Sequence, residues 1–264
     1  MMISQIETPR FVSSKPNPAA KVRLFCFPYA GAGPQVYRNW PQKLSRFIEF
    51  FAVQLAGRGT RLNERPYTSV VNAAEDLIGS FERYLDKPIV LFGHSLGALM
   101  CFELAHRLRD KYGIEPSLLI VSGRGAPQVP NDDPPTYDLP DPEFINELRR
   151  LNGTPSEVLE HTALMELMLP IIKADFKMSE TYTFIERPPL NCPLVAMGGI
   201  NDPGLDRNSL EAWGELTKGS FSMHMVPGDH FMIHSAESAV VGWVNHDLNA
   251  VINNPDSGQT RKWQ

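Results

Sequence analysis

Pro88-Ile89-Val90-Leu91-Phe92-Gly93-His94-Ser95-Leu96-Gly97 decides the fold of this chain. A short apolar run, Ile89 to Phe92, meets a glycine-flanked serine, and a helical pattern from Ala98 to Tyr112 follows. This is G-x-S-x-G in the context it needs: buried strand, tight turn, helix. A serine at such a turn is held in a strained backbone conformation. Side chains two residues away on either side would collide, so Gly93 and Gly97 make room. The strain lifts the Ser95 hydroxyl above the sheet, and the helix aims free N–H groups at any oxyanion formed there. A glycine-flanked turn with an ordinary serine is the bland alternative; the strand before and the helix after favour a nucleophile.

Working outward, strands and helices alternate. Val22–Phe27, Glu49–Gln54, Leu118–Ser122, Pro193–Met197 and Phe221–Val226 read as strands. Tyr37–Phe47, Val70–Leu85 and Ala236–Val251 read as helices, and Gly113 ends the helix after Ser95. Such alternation predicts an α/β domain, a mostly parallel sheet with helices on both faces, over residues 21–252. Residues 1–20 and 253–264 read as loose polar tails. About 127–188 interrupts the rhythm with a proline-rich connector and then helices, the place for a lid. Asp141-Pro142-Glu143 starts one helix, with Phe144, Leu148 and Leu151 in a stripe. Thr154-Pro155-Ser156-Glu157 caps a second over Val158–Leu169. Pro170 is expected to break the pattern before a third over Ile171–Tyr182. Most of this segment's apolar residues must pack the lid. Met165, Met168, Leu169, Ile172 and Phe176 are candidates to line an acyl-chain groove.

The chain has 264 residues, a net charge of −5 and no basic run, which argues against nucleic acid. It has no stretch long and apolar enough for a membrane, and Met1–Thr8 does not read as a signal peptide. Cys26, Cys101 and Cys192 lack metal-like spacing and read as buried hydrophobes. A cytoplasmic protein is expected.

Of seven histidines, His230 is the candidate base. It follows the last strand in a glycine-containing loop, where a late histidine can swing over Ser95. His230 and His234 are spaced for zinc, but no glutamate or third ligand accompanies them, so no metal is expected. Asp202 ends the Leu194 strand on a turn and is the candidate acid; Asp206 is the alternative, and Asp229 is too near His230 in sequence. The loop Phe27-Pro28-Tyr29-Ala30-Gly31-Ala32-Gly33 is expected to supply Ala30 N–H to an oxyanion hole, paired with Leu96 N–H. Dinucleotide binding through Gly31 and Gly33 is disfavoured, since Val36 occupies the third glycine position.

Several motifs in order carry a resemblance over about Val22–Leu248. They are Phe27-Pro28-Tyr29-Ala30-Gly31, Gly57-Arg58-Gly59-Thr60-Arg61-Leu62, the elbow itself and Ser122-Gly123-Arg124-Gly125-Ala126-Pro127. Leu139-Pro140-Asp141, then Leu169-Pro170 with Ala174-Asp175-Phe176, fall in the insertion. Gly198-Gly199-Ile200-Asn201-Asp202-Pro203 and Pro227-Gly228-Asp229-His230-Phe231 complete the set. The chain resembles the type II thioesterases, free-standing α/β-hydrolases that accompany nonribosomal peptide and polyketide synthases. It departs at Tyr29, where many relatives carry histidine, and at Ala32, where a second glycine is frequent. The resemblance implies a Ser-His-Asp enzyme that hydrolyses acyl groups from the phosphopantetheine arm of acyl or peptidyl carrier protein domains. It implies no cofactor beyond the arm that the substrate carries. Arg58, Arg61 and Arg65 become candidates to meet an acidic carrier protein or the arm's phosphate. Hydrolysis of medium-chain fatty acyl thioesters, free esters or amides is the alternative, and a non-catalytic binding protein on this fold is a rival from another class.

Overall fold

A computed structural model describes residues 10–13, 17–130, 133–151, 153 and 156–253. Its strands are β1 (Phe11–Val12), β2 (Val22–Phe27), β3 (Ile48–Val53), β4 (Ile89–His94), β5 (Leu118–Ser122), β6 (Leu194–Gly199) and β7 (Phe221–Val226). They form one sheet in the order β1-β3-β2-β4-β5-β6-β7, parallel throughout except for β1. The chain has the α/β-hydrolase fold.

The central strands are apolar on both sides because both faces are covered. Successive residues alternate between two cores. Phe25, Phe27, Leu91, Leu119 and Val121 pack beneath α1 (Val70–Ile78) and α2 (Leu96–Tyr112). Leu24, Cys26, Phe92 and Ile120 pack with Tyr37 and Trp40 and with the C-terminal helix over Glu237–Asn253. The period of two in strand side chains produces this division. All three cysteines are buried and free.

Between β5 and β6 lie α3 (Asp141–Leu151), α4 (Ser156–Leu159) and α5 (Thr162–Glu180). The remaining helices are α6 (Arg207–Glu211), α7 (Met232–Ser235) and α8 (Glu237–Asn253).

Four expectations need correction. Phe11 and Val12, assigned to a loose tail, form β1: Phe11 is buried against the rings of Phe25, Phe81 and Tyr84. Tyr37–Phe47 is not an α-helix but two 3-10 turns, Pro34–Tyr37 and Trp40–Gln42. Pro41 removes the amide a longer helix would need. Burial of Tyr37 and Trp40 edge to face, with Tyr37 Oη donating to Phe27 O at 2.8 Å, fixes the turns instead. The helix expected over Val70–Leu85 tightens after Ile78 into a 3-10 turn, Gly79–Tyr84. Pro170 does not end a helix; it lies inside α5. An interior proline costs about 3 kcal/mol in an isolated helix. Here Met165, Leu169 and Ile172, on both sides of it, enter one apolar cluster with Phe144 and Leu148. The break falls earlier, at His161, whose Nδ1 accepts from Leu164 N–H. Thr154 and Pro155 of the expected cap lie outside the described residues.

One buried histidine predicts an acid sensitivity unrelated to catalysis. His106 on α2 accepts at Nδ1 from Arg109 Nη2 (2.8 Å), so its proton is on Nε2. Burial, helped by the charges of Arg187 and Arg109, lowers its pKa from 6.5 to about 3. The unfolded chain gains this proton below pH 6.5 and the folded chain does not. The stabilising difference is therefore complete above pH 6.5 and declines towards pH 3. Urea denaturation across that range is expected to show a slope nearer zero by about 1.4 kcal/mol per pH unit in His106→Gln. An unchanged slope contradicts the assignment.

Candidate active site

β4 ends at His94, and Ser95 follows with φ 55° and ψ −114°. It is the one non-glycine residue with positive φ among the described residues. Such a conformation costs of order 1–3 kcal/mol and persists only when its surroundings impose it. Here Ser95 N–H donates to Ser122 O at 2.7 Å, tying the turn to β5. The flanking glycines are required by contact. A Cβ on Gly93 would lie 2.1 Å from Gly97 O, and one on Gly97 would lie 2.2 Å from Phe27 O.

The loops after β6 and β7 are pressed together. Asn201 N–H donates to Gly228 O, Ile200 N–H donates to Val226 O, and a Cβ on Gly199 would strike Asp229 O at 2.3 Å. This zipper brings Asp202 to His230, with Nδ1 and Oδ2 2.8 Å apart. The Asp202 side chain is 2% exposed and that of His230 is 32% exposed. Asp202 Oδ1 accepts from Gly204 N–H at 3.0 Å, so both carboxylate oxygens are engaged. A proton on His230 Nδ1 directed at Asp202 leaves Nε2 an acceptor. Asp206 caps α6 through Ser209 N–H, and Asp229 accepts from Phe231 N–H; neither bonds the ring of His230. Ser95 Oγ makes no hydrogen bond among the described residues, so the structure joins Asp202 to His230 but does not close a bond from His230 to Ser95. Catalytic bonds of this kind are often long before substrate binds.

His94 lies under the site. It is fully buried, its Nδ1 is 2.9 Å from Ser122 Oγ, and its ring centroid is 5.2 Å from that of His230. Burial above all, and His230 next, hold its pKa well below the usual imidazole value, so it is neutral. His234 Nε2 is 3.0 Å from Tyr29 Oη. Among the described residues no group of three or more His, Cys, Asp or Glu side chains could hold a metal ion.

β2 neighbours β4, with Phe27 opposite Gly93, so the loop after β2 runs beside the elbow. Ala30 N–H and Leu96 N–H make no hydrogen bond among the described residues, whereas Gly31 N–H (φ 79°) donates to Asp175 Oδ2 at 2.7 Å. Asp175 belongs to α5. One turn on, Ser179 Oγ accepts from Arg124 Nη1 at 2.8 Å in the loop after β5. Since β2 and β5 flank β4, α5 crosses above the end of β4. Met165 and Leu169 are consumed in the insertion's own cluster, with Met168 and Phe176 half-buried against it. Ile172 reaches further, 3.1 Å from where a Cβ on Gly31 would stand.

Arg58 and Arg61, expected on the surface, are turned inward. Arg58 is 8% exposed and clamps Asp175 with two bonds of 2.7 Å; Arg61 is 1% exposed and donates to Gln54 O, Glu64 and Tyr67. Carboxylates and carbonyls engage both Nη groups of Arg58, whose Nε is buried without a partner, and all three nitrogens of Arg61. Sequence reasoning missed Asp175 as a site residue. The available signal was a carboxylate in register with Ile172 and Met178 on the buried face of a helix.

A model of the thioesterase domain matches residues 22–248. The gramicidin S biosynthesis protein GrsT of Aneurinibacillus migulanus is 41% identical over 242 residues, covering 92% of this chain and 94% of that protein. RedJ, a thioesterase from the prodiginine biosynthetic pathway in Streptomyces coelicolor, superposes with a TM-score of 0.81 at 34% identity, covering 91% of each chain. ClbQ, from the colibactin NRPS/PKS pathway, does so with a TM-score of 0.83 at 33% identity, covering 88% of this chain and 98% of that one. The chain belongs to the thioesterase family. It is a thioester hydrolase of the serine-hydrolase type. Among the described residues no helix is long and apolar enough to cross a membrane.

Proposed function

We propose that this enzyme releases acyl groups from the phosphopantetheine arm of carrier protein domains, clearing misprimed or stalled chains from a nonribosomal peptide or polyketide synthase. The biosynthetic pathways named for its relatives support the substrate class. The observation that carries the chemistry is the Asp202–His230 pair at the same sheet edge as the strained Ser95.

In this reading His230 Nε2 takes the Ser95 hydroxyl proton as Oγ attacks the thioester carbonyl. Ala30 and Leu96 N–H groups hold the oxyanion. Collapse breaks the C–S bond, and the imidazolium returns its proton to the departing thiolate. Water, deprotonated by His230, then attacks the acyl-serine; the acid leaves and Oγ recovers its proton. Asp202 holds the ring tautomer and stabilises the imidazolium. The insertion α3–α5 acts as a lid, with Met165, Met168, Leu169, Ile172 and Phe176 shaping its inner side.

Acylated carrier protein, the matching acyl-CoA and a simple ester of the same acid should be compared by kcat/KM. The carrier-bound thioester is expected to be hydrolysed best. A strong preference for the ester overturns the substrate assignment.

A further inference from the structure

Asp175 bonds two groups that the proposed mechanism leaves unexplained. Its Oδ2 accepts from Gly31 N–H (2.7 Å) and from Arg58 Nη1 (2.7 Å), and its Oδ1 accepts from Arg58 Nη2 (2.7 Å). The Asp175 side chain is fully buried. Arg58 Nη1 also donates to Ala32 O at 2.8 Å. The pair therefore grips the loop after β2 at two points, an amide on Gly31 and a carbonyl on Ala32. Ala30, whose N–H is free, is the residue immediately before this clamp. Ile172, one turn before Asp175 on α5, closes on Gly31 from the same side.

We propose that Asp175 is a positioning residue: by holding Gly31 N–H it fixes the Ala30–Gly31 peptide and, through the backbone torsions of Ala30, the preceding Tyr29–Ala30 peptide, so that Ala30 N–H faces the oxyanion. α5 is then part of the catalytic frame as well as a cover. This rests on the reading of Ser95 and Ala30 given above. A buried ion pair is costly to assemble and weak evidence for stability by itself. Its geometry here serves the loop, since the carboxylate's three bonds run to the Gly31 amide and to the guanidinium that also holds Ala32 O. Asparagine cannot replace it, because its NH₂ would face either Gly31 N–H or the guanidinium.

The test separates positioning from folding. Asp175→Ala leaves Arg58 buried and unpaired and is expected to lose stability as well as activity. The double variant Arg58→Met/Asp175→Leu removes both charges into apolar groups, a change that is often neutral for stability. It is expected to keep its melting temperature yet lose about 100-fold in kcat, in the range for one lost oxyanion donor, with KM little changed. Affinity for a trifluoromethyl ketone mimic of the tetrahedral intermediate should fall with kcat, while affinity for the product acid should not. If the double variant also unfolds, Arg58→Met alone decides. It retains the Gly31 bond, so kcat per titrated site should exceed that of Asp175→Ala by about tenfold or more, as a mispositioned group demands. Undiminished kcat in the folded double variant, or equal kcat in the two single variants, overturns the proposal. Wild type that turns over without acylating Ser95 sinks the underlying mechanism instead.

Discussion

Ser95→Ala is expected to lower kcat by a factor on the order of 10⁶, equivalent to about 8 kcal/mol of barrier. The hydroxyl is the only group of the proposed site able to form the acyl bond, and its removal leaves just binding and the oxyanion donors. Alanine keeps the positive φ at this turn, so the strain neither grows nor relaxes and the fold should persist. Gly93 and Gly97 continue to fit against Gly97 O and Phe27 O. Carrier-protein binding by the variant should match wild type. Loss of turnover with loss of binding would indicate a damaged fold; retained turnover would remove Ser95 from the mechanism.

Asp202→Asn is expected to cost about 10⁴-fold in kcat with little change in KM. The reason is local. Oδ1 at this position accepts from Gly204 N–H, so an asparagine turns its oxygen that way and its NH₂ towards His230. Nδ1 must then accept, which moves the ring proton to Nε2, and the imidazole can no longer take a proton from Ser95. Steady-state kinetics on an acylated carrier protein checks this. A fall of less than about tenfold would mean that His230 is oriented by something other than the carboxylate.

Much of this was readable from the chain because parallel strands buried on both faces appear as short apolar runs. Val22–Phe27, Leu118–Ser122 and Phe221–Val226 begin and end where their composition changes. The elbow was readable because only glycine tolerates the approaches at Gly93 and Gly97. What escaped depends on partners distant in sequence. Phe11–Val12 is too short for periodicity and is recruited by the rings of Phe25 and Phe81. Pro170 stays helical because Leu169 and Ile172 are packed on either side of it. Arg58 resembles a surface arginine until Asp175, which lies 117 residues later, is brought against it.

In the proposed mechanism Ser95 carries the acyl group between thioester and water. Rapid-quench mass spectrometry of wild type mixed with acylated carrier protein tests it most directly. A transient mass increase equal to the acyl group, mapped to the peptide that contains Ser95 and absent in Ser95→Ala, is the predicted result. Acid product formed at the full rate with that peptide never modified would contradict it.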